Sequence, residues 1–109
     1  MEFIKPVVSK DNRRILSNLL KADIKDINYW EARKGSILGN HYHRKTVEYF
    51  FITKGSGLLT LDDKRHLIIK GSFFKVKPLE KHSIECLSNL NFLTFLSEPY
   101  DESNPDIYK

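Results

Sequence analysis

One cysteine, Cys86, stands in the whole chain of 109 residues. Without a partner for an intramolecular disulfide, it excludes the small disulfide-stapled secreted scaffolds and points to a reducing compartment, a cytosol. Glycine and proline are sparse too, at five and four residues, and no stretch rich in Gly, Pro or Ser divides the chain. No apolar run has bilayer-spanning length, and the start, Met1 to Pro6, lacks the basic and apolar regions of a secretory signal, so no membrane partner is expected. Nothing repeats. Lys and Arg outnumber Asp and Glu by 18 to 14, yet the basic residues never run longer than pairs such as Arg13-Arg14 and Lys64-Arg65. Such scatter describes a solvated surface and argues against a nucleic-acid partner.

What remains, 40% hydrophobic and 29% charged residues, is the composition of a soluble globular protein, and its length suits one domain over 1–109. From about residue 26, short β-rich runs alternate with turn residues: Ile27–Arg33, Val47–Thr53, Leu58–Leu61, His66–Ile69, Ser72–Val76, His82–Leu87 and Phe92–Leu96, with turns at Gly35-Ser36, Gly39-Asn40, Gly55-Ser56-Gly57 and Asp62-Asp63-Lys64. That pattern predicts an all-β fold, closed or stacked to hide its strand edges. Asn12–Lys25 departs from it. Ile15, Leu16, Leu19 and Leu20 make an i, i+1, i+4, i+5 stripe behind Asp11 or Asn12 as a cap, which predicts a short helix. The end, 98–109, carries two prolines and four acids and is expected to wrap over the body as a tail, anchored by Tyr100, Ile107 and Tyr108.

The chemistry concentrates between Gly35 and Gly55. On an extended backbone His41 and His43 share a face and Tyr42 points away. Glu48 has the opposite parity, so a turn within 44–47 is needed before Glu48, Phe50 and Ile52 can face inward with them. A third histidine, His82, follows Pro78 and shares a face with Ile84 and Cys86. Three imidazoles and a carboxylate form an N3O donor set suited to a divalent transition metal, Fe, Mn, Ni, Cu or Zn, and unlike the all-oxygen sites of Ca and Mg. His66 lacks such support and is expected to be structural, as are most of the phenylalanines. Cys86 is expected to be a small buried hydrophobe.

Gly35, His41, His43, Glu48 and Gly55 match every fixed position of G-x5-H-x-H-x4-E-x6-G, the first motif of the cupin superfamily, which the chain therefore resembles. The second motif, G-x5-P-x-G-x2-H-x3-N, keeps its distance from Gly71 to His82, but Pro78 is one place late, Leu79 stands at the inner glycine and Cys86 at the asparagine. The resemblance implies a single cupin barrel, a jelly-roll-like double-stranded β-helix, with its core at about 26–97 and an N-terminal extension. It implies His41, His43, Glu48 and His82 as metal ligands and a tendency to form homodimers. The exposed-looking apolar residues Phe3, Ile4, Val7 and Val8 point to the same pairing.

Asp11-Asn12-Arg13 and Gly39-Asn40-His41-Tyr42-His43 also look like the cupin parts of sugar-nucleotide 3,5-epimerases and of capsule-synthesis UDP-sugar reductases, in which the first segment is a strand and not a helix. Arg14 and Leu38 depart from their Gly and Arg, so the phosphate contact of that Arg does not carry over. The implied function is metal-assisted isomerisation or epimerisation of a small carbonyl-bearing or carbohydrate-like ligand, with Tyr49, Glu31 or His41 as candidate base. An Fe or Mn dioxygenase and a non-catalytic ligand-binding cupin are the alternatives. Lys34, Arg44 and Lys45 flank the motif and would attract an anionic group to the barrel mouth.

Overall fold

A computed structural model describes residues 1–109. It contains strands and no helix: β1 (Glu2–Phe3), β2 (Val7–Lys10), β3 (Ile15–Asn18), β4 (Asp26–Ala32), β5 (Ile37–His41), β6 (Glu48–Lys54), β7 (Ser56–Leu61), β8 (Lys64–Ile69), β9 (Phe73–Val76), β10 (His82–Cys86) and β11 (Leu90–Leu96). One antiparallel sheet runs β1-β9-β6-β11-β4 and a second runs β5-β10-β7-β8, facing each other in a jelly-roll arrangement. Strict alternation decides what lies between them. Phe50, Ile52, Phe74, Val76, Leu90 and Phe92 point inward from the first sheet, and Leu59, Leu61, Ile68, Ile84 and Cys86 from the second, forming one buried cluster. No helix is long and apolar enough to cross a membrane.

The helix expected within Asn12–Lys25 is absent; Ile15–Asn18 is β3 and pairs with β2 in a separate hairpin. The reason lies in Asp11. Its carboxylate accepts the N–H groups of Arg13 and Arg14 at 2.8 and 3.1 Å, which looks in sequence like an N-cap, but Asp11 N–H also donates to the Arg14 carbonyl and closes a hairpin turn. A short acidic side chain serves both geometries. The sugar-nucleotide resemblance, which implies a strand there, agrees with the fold.

Gly39-Asn40 is likewise not a turn between strands but a bulge inside β5. His82 pairs with His41 while Ser83 pairs with Gly39, leaving Asn40 as the extra residue, and Gly39 and Asn40 have φ of +82° and +65°. A bulge resets the alternation, so that Leu38 and His41, three residues apart, are both partly buried. Gly55 closes the turn from β6 to β7 with φ +89°, where a side chain would strike the Asn89 carbonyl.

Candidate metal centre

His41 ends β5, His43 follows it in the connecting loop, Glu48 opens β6 and His82 opens β10. The two sheets therefore bring the four residues together at one end of the core. Donor atoms of the three histidines lie within 4.8 Å of one another, and Glu48 Oε1 is 3.2 Å from His43 Nε2 and 3.4 Å from His82 Nε2. Around an ion with bonds of about 2.0–2.1 Å, neighbouring ligand atoms stand roughly 3 to 3.4 Å apart. The carboxylate spacings already meet that, and ring rotation can bring the imidazole nitrogens closer.

The outer nitrogens decide the chemistry. His43 Nδ1–H donates to the Asp106 carbonyl at 2.7 Å, and His82 Nδ1–H donates to the Glu80 carbonyl at 3.0 Å. In the neutral rings both Nε2 lone pairs then aim at the same carboxylate oxygen. Three acceptors converge on a point that lacks a positive charge of its own, an arrangement that a proton or a metal cation relieves. Burial opposes charge on His43, but its hydrogen bonds to Glu48 and to the Asp106 carbonyl outweigh that and raise its pKa. Burial also works against the Glu48 carboxylate, yet the hydrogen bonds it accepts from His43 and His82 when those rings carry a proton at Nε2 hold it down at about 2. At His41 burial, reinforced by the charges of His82 and His43, lowers the pKa to about 4, leaving a neutral imidazole at pH 7.

Beside the cluster opens a cavity of about 680 Å³. Asp26, Asn28 and Trp30 line it from β4 and Leu96 from β11. The tail supplies much of the rest, with Glu98, Tyr100, Asp101 and Asp106 on its wall. Trp30 stacks on Phe92 at 5.7 Å and donates its indole N–H to Thr94 Oγ1 at 3.0 Å, so its ring is held fixed. Asp26 Oδ2 accepts the Tyr100 N–H at 3.0 Å. The tail wraps as its composition predicts, although Tyr108 makes a backbone bridge to Tyr42.

Tyr49 and Glu31, two candidate bases, do not line this cavity; each neighbours an inward residue, Glu48 or Trp30, and so takes the other face of its strand. Of the flanking basic residues only Lys45 lines it. Arg44 lies over the Tyr108 ring at 4.2 Å, and Lys34 precedes β5, bonded through its backbone N–H to Asn89. Sequence reasoning does not single out Asp26 or Asp106. An Asp-x-Asn-x-Trp alternation on β4 is the one signal that could have found Asp26, while nothing local marks Asp106.

Leu79 occupies the inner-glycine position of the second motif with φ +72°, and its N–H donates to the His43 carbonyl at 2.7 Å. The turn before His82 therefore keeps a left-handed residue there without glycine. Cys86, at the motif's asparagine, is buried and free, and burial raises its thiol pKa.

The family model described as "Cupin domain" matches residues 28–96. An uncharacterized protein of Methanocaldococcus jannaschii is 31% identical over 111 residues, covering 95% of this chain and 88% of its own length. Among solved structures, a 3,4-ketoisomerase from Helicobacter canadensis superposes with a TM-score of 0.80 at 19% identity, over 97% of this chain and 87% of its own. The sugar 3,4-ketoisomerase QdtA from Thermoanaerobacterium thermosaccharolyticum, solved with TDP, gives 0.73 at 22% over 97% and 85%. The capsular polysaccharide assembling protein CapF of Staphylococcus aureus gives 0.68 at 20% identity; this chain, covered over 95%, spans only 34% of it. At such identities the structural likeness establishes the fold. Joined to the matched family model and the intact first motif, it places the chain in the cupin family.

Proposed function

We propose that this cupin binds one divalent transition metal through His41, His43, Glu48 and His82. We further propose that it acts on a small carbonyl-bearing, carbohydrate-like ligand by isomerase- or epimerase-type chemistry. The observation that carries the reading is the convergence of two Nε2 lone pairs on Glu48 Oε1 at the wall of an open cavity. When bound there, the metal would polarise a carbonyl oxygen as a Lewis acid.

The chain's own residues supply the rest. The immobilised Trp30 ring offers an apolar floor against which a sugar-sized ring can lie. Asp26, fixed by the Tyr100 N–H, is the carboxylate we assign to take the proton next to the carbonyl and return it. The wall carries Asp26, Glu48, Glu98, Asp101 and Asp106 against one lysine, Lys45. Such a field favours a neutral polyhydroxy ligand over a nucleoside diphosphate. The two ketoisomerase neighbours support the reaction class.

The test is solvent-deuterium exchange into keto-sugars, sugar phosphates and sugar nucleotides, followed by NMR. Exchange into an uncharged keto-sugar that requires added metal, His43 and Asp26 is the expected result. The absence of exchange and of any ligand-induced shift across the panel would overturn the reading, and substrate-dependent O2 uptake on other compounds would replace it with a dioxygenase.

A homodimer completes the reading. The accessible surface is 7463 Å², roughly 1,200 Å² above the size scaling for this mass, and the radius of gyration is 14.4 Å where about 13 Å is expected. That excess exceeds the ~800 Å² per partner of a standard interface. Val7, Val8, Ile15 and Leu16 on the hairpin and Ile27 and Tyr29 on the outer face of β4 are all more than half exposed.

A further inference from the structure

His82 and His43 present the same nitrogen to Glu48, but they are oriented by different means. The carbonyl that holds His82 Nδ1–H belongs to Glu80, two residues away in the turn that leads into β10. The one that holds His43 belongs to Asp106, 63 residues away in the tail. His43 itself lies in the loop between β5, which ends at His41, and β6, which begins at Glu48; its carbonyl accepts the Leu79 N–H at 2.7 Å, but that backbone bond does not fix the ring. Left alone, such a loop would let the imidazole choose either tautomer and more than one rotamer.

The tail removes that freedom by gripping the loop on both sides of the histidine. Asp106 Oδ1 accepts the Arg44 N–H at 2.8 Å, and Oδ2 accepts the Lys45 N–H, the Thr46 N–H and the Thr46 hydroxyl, each at 2.9 Å. Ahead of the histidine, Tyr42 and Tyr108 exchange backbone hydrogen bonds of 2.8 and 2.9 Å and stack at 5.6 Å. The Arg44 guanidinium covers the Tyr108 ring. With the carboxylate fastened to residues 44–46, the Asp106 carbonyl is delivered to His43 Nδ1.

We propose that Asp106 is a positioning residue of the metal centre: its carboxylate docks the tail on the 42–46 loop so that its own carbonyl selects the tautomer of His43 that turns the Nε2 lone pair toward Glu48. The tail is thereby an outer layer of the site as well as a wall of the cavity. The proposal rests on the donor cluster and not on the isomerase reading.

The experiment is nitrogen-15 NMR of the histidine rings in the metal-free protein at alkaline pH, joined to Zn²⁺ affinity measured by chelator competition. The parent protein is expected to show His43 and His82 each as a single tautomer protonated at Nδ1. In Asp106→Ala, His43 is expected to become a mixture of tautomers while His82 stays unchanged, with Zn²⁺ affinity falling about 10- to 100-fold as for other partners of metal-bound histidines. Asp106→Asn, which keeps one acceptor oxygen, should lie between the two and serves as the readout if the alanine variant does not fold. A single Nδ1–H tautomer at His43 in the variant would overturn the proposal whatever the affinity does, because a merely structural carboxylate leaves the ring nitrogens as they were. Failure of every chain to exchange deuterium into sugars would leave this result intact and count only against the isomerase reading.

Discussion

The two ends of the chain use backbone structure in opposite ways. Residues 7–18 form a regular hairpin, with paired backbones and a closed turn, yet every residue of β2 and β3 is exposed and the sheet they make contains no other strand. Residues 98–109 contain no strand, yet they line the cavity and make some of the longest-range hydrogen bonds in the molecule. Regular secondary structure is thus no guide to which segment lines the cavity. A two-stranded ribbon with apolar residues on both faces, Val7 and Leu16 on one and Val8 and Ile15 on the other, is marginal by itself and needs an outside surface to cover it. The tail needs no ladder because the hydrogen bonds of Asp106 and Tyr108 to the 42–46 loop hold it.

The largest effect is expected from removing the tail. A chain ending at Ser97 loses the Glu98, Tyr100, Asp101 and Asp106 wall, and ligand-induced NMR shifts should vanish while the far-UV signature of the sheets remains. Retained ligand binding would mean that the cavity wall is not part of the site.

Next comes Asp106→Ala. With four hydrogen bonds lost from a half-buried loop, denaturant unfolding should report a loss of about 1–2 kcal/mol. The same carboxylate makes the stability pH-dependent. Glu48 and Asp106 are both held down to about 2 in the folded chain, against 4.5 and 3.8, so their contribution is present above the ordinary carboxylate range and is lost as pH falls through it toward 2. His41, lowered to about 4, acts in the same direction: the unfolded imidazole takes up its proton first, so stability falls as pH drops from 6.5 to about 4. His43, raised, contributes stability at low pH and loses its share as pH rises through its folded value. Metal-free protein should therefore unfold steeply below about pH 4.5, and Asp106→Ala should blunt that slope.

The hairpin should respond differently. Val8→Asp combined with Ile15→Asp is expected to change stability by less than about 0.5 kcal/mol at a concentration where the chain is monomeric. At tens of micromolar, as an order of magnitude for a stable interface, sedimentation should show the parent as a dimer and this variant as a monomer. A monomeric parent would leave the apolar ribbon uncovered and sink the dimer reading. Smallest of all, Leu79→Gly should stabilise the chain by about 0.5 kcal/mol, since it relieves a left-handed leucine that is mostly exposed.

Much of the centre is legible in the sequence because it is local. His41, His43 and Glu48 fall within eight residues, and β parity with one turn orients them; His82 is marked by its distance from Gly71. All seven strands expected after residue 26 are present, within one or two residues at most ends. β5 escapes because its bulge at Gly39-Asn40 looks like a turn, and β3 escapes because Asp11 speaks equally for a cap and a hairpin turn. Asp106 is illegible for a different reason: its partners, Arg44 to Thr46, are some sixty residues away, and an acid in a proline-bearing tail carries no periodicity that could announce them. The acidic balance of the cavity is likewise hidden, because a chain with net charge +4 gives no hint that its large cavity gathers carboxylates.

If His43, Glu48 and His82 converge because a metal belongs between them, the most direct measurement is elemental analysis after equilibrium dialysis against Zn²⁺, Mn²⁺, Fe²⁺, Ni²⁺ and Cu²⁺. One ion per chain is expected for the parent protein and substoichiometric, weak retention in His43→Ala and His82→Ala, with affinity falling as pH drops through the imidazole range. Stoichiometric metal held as tightly by His43→Ala as by the parent, or none held by a folded parent chain, would contradict it.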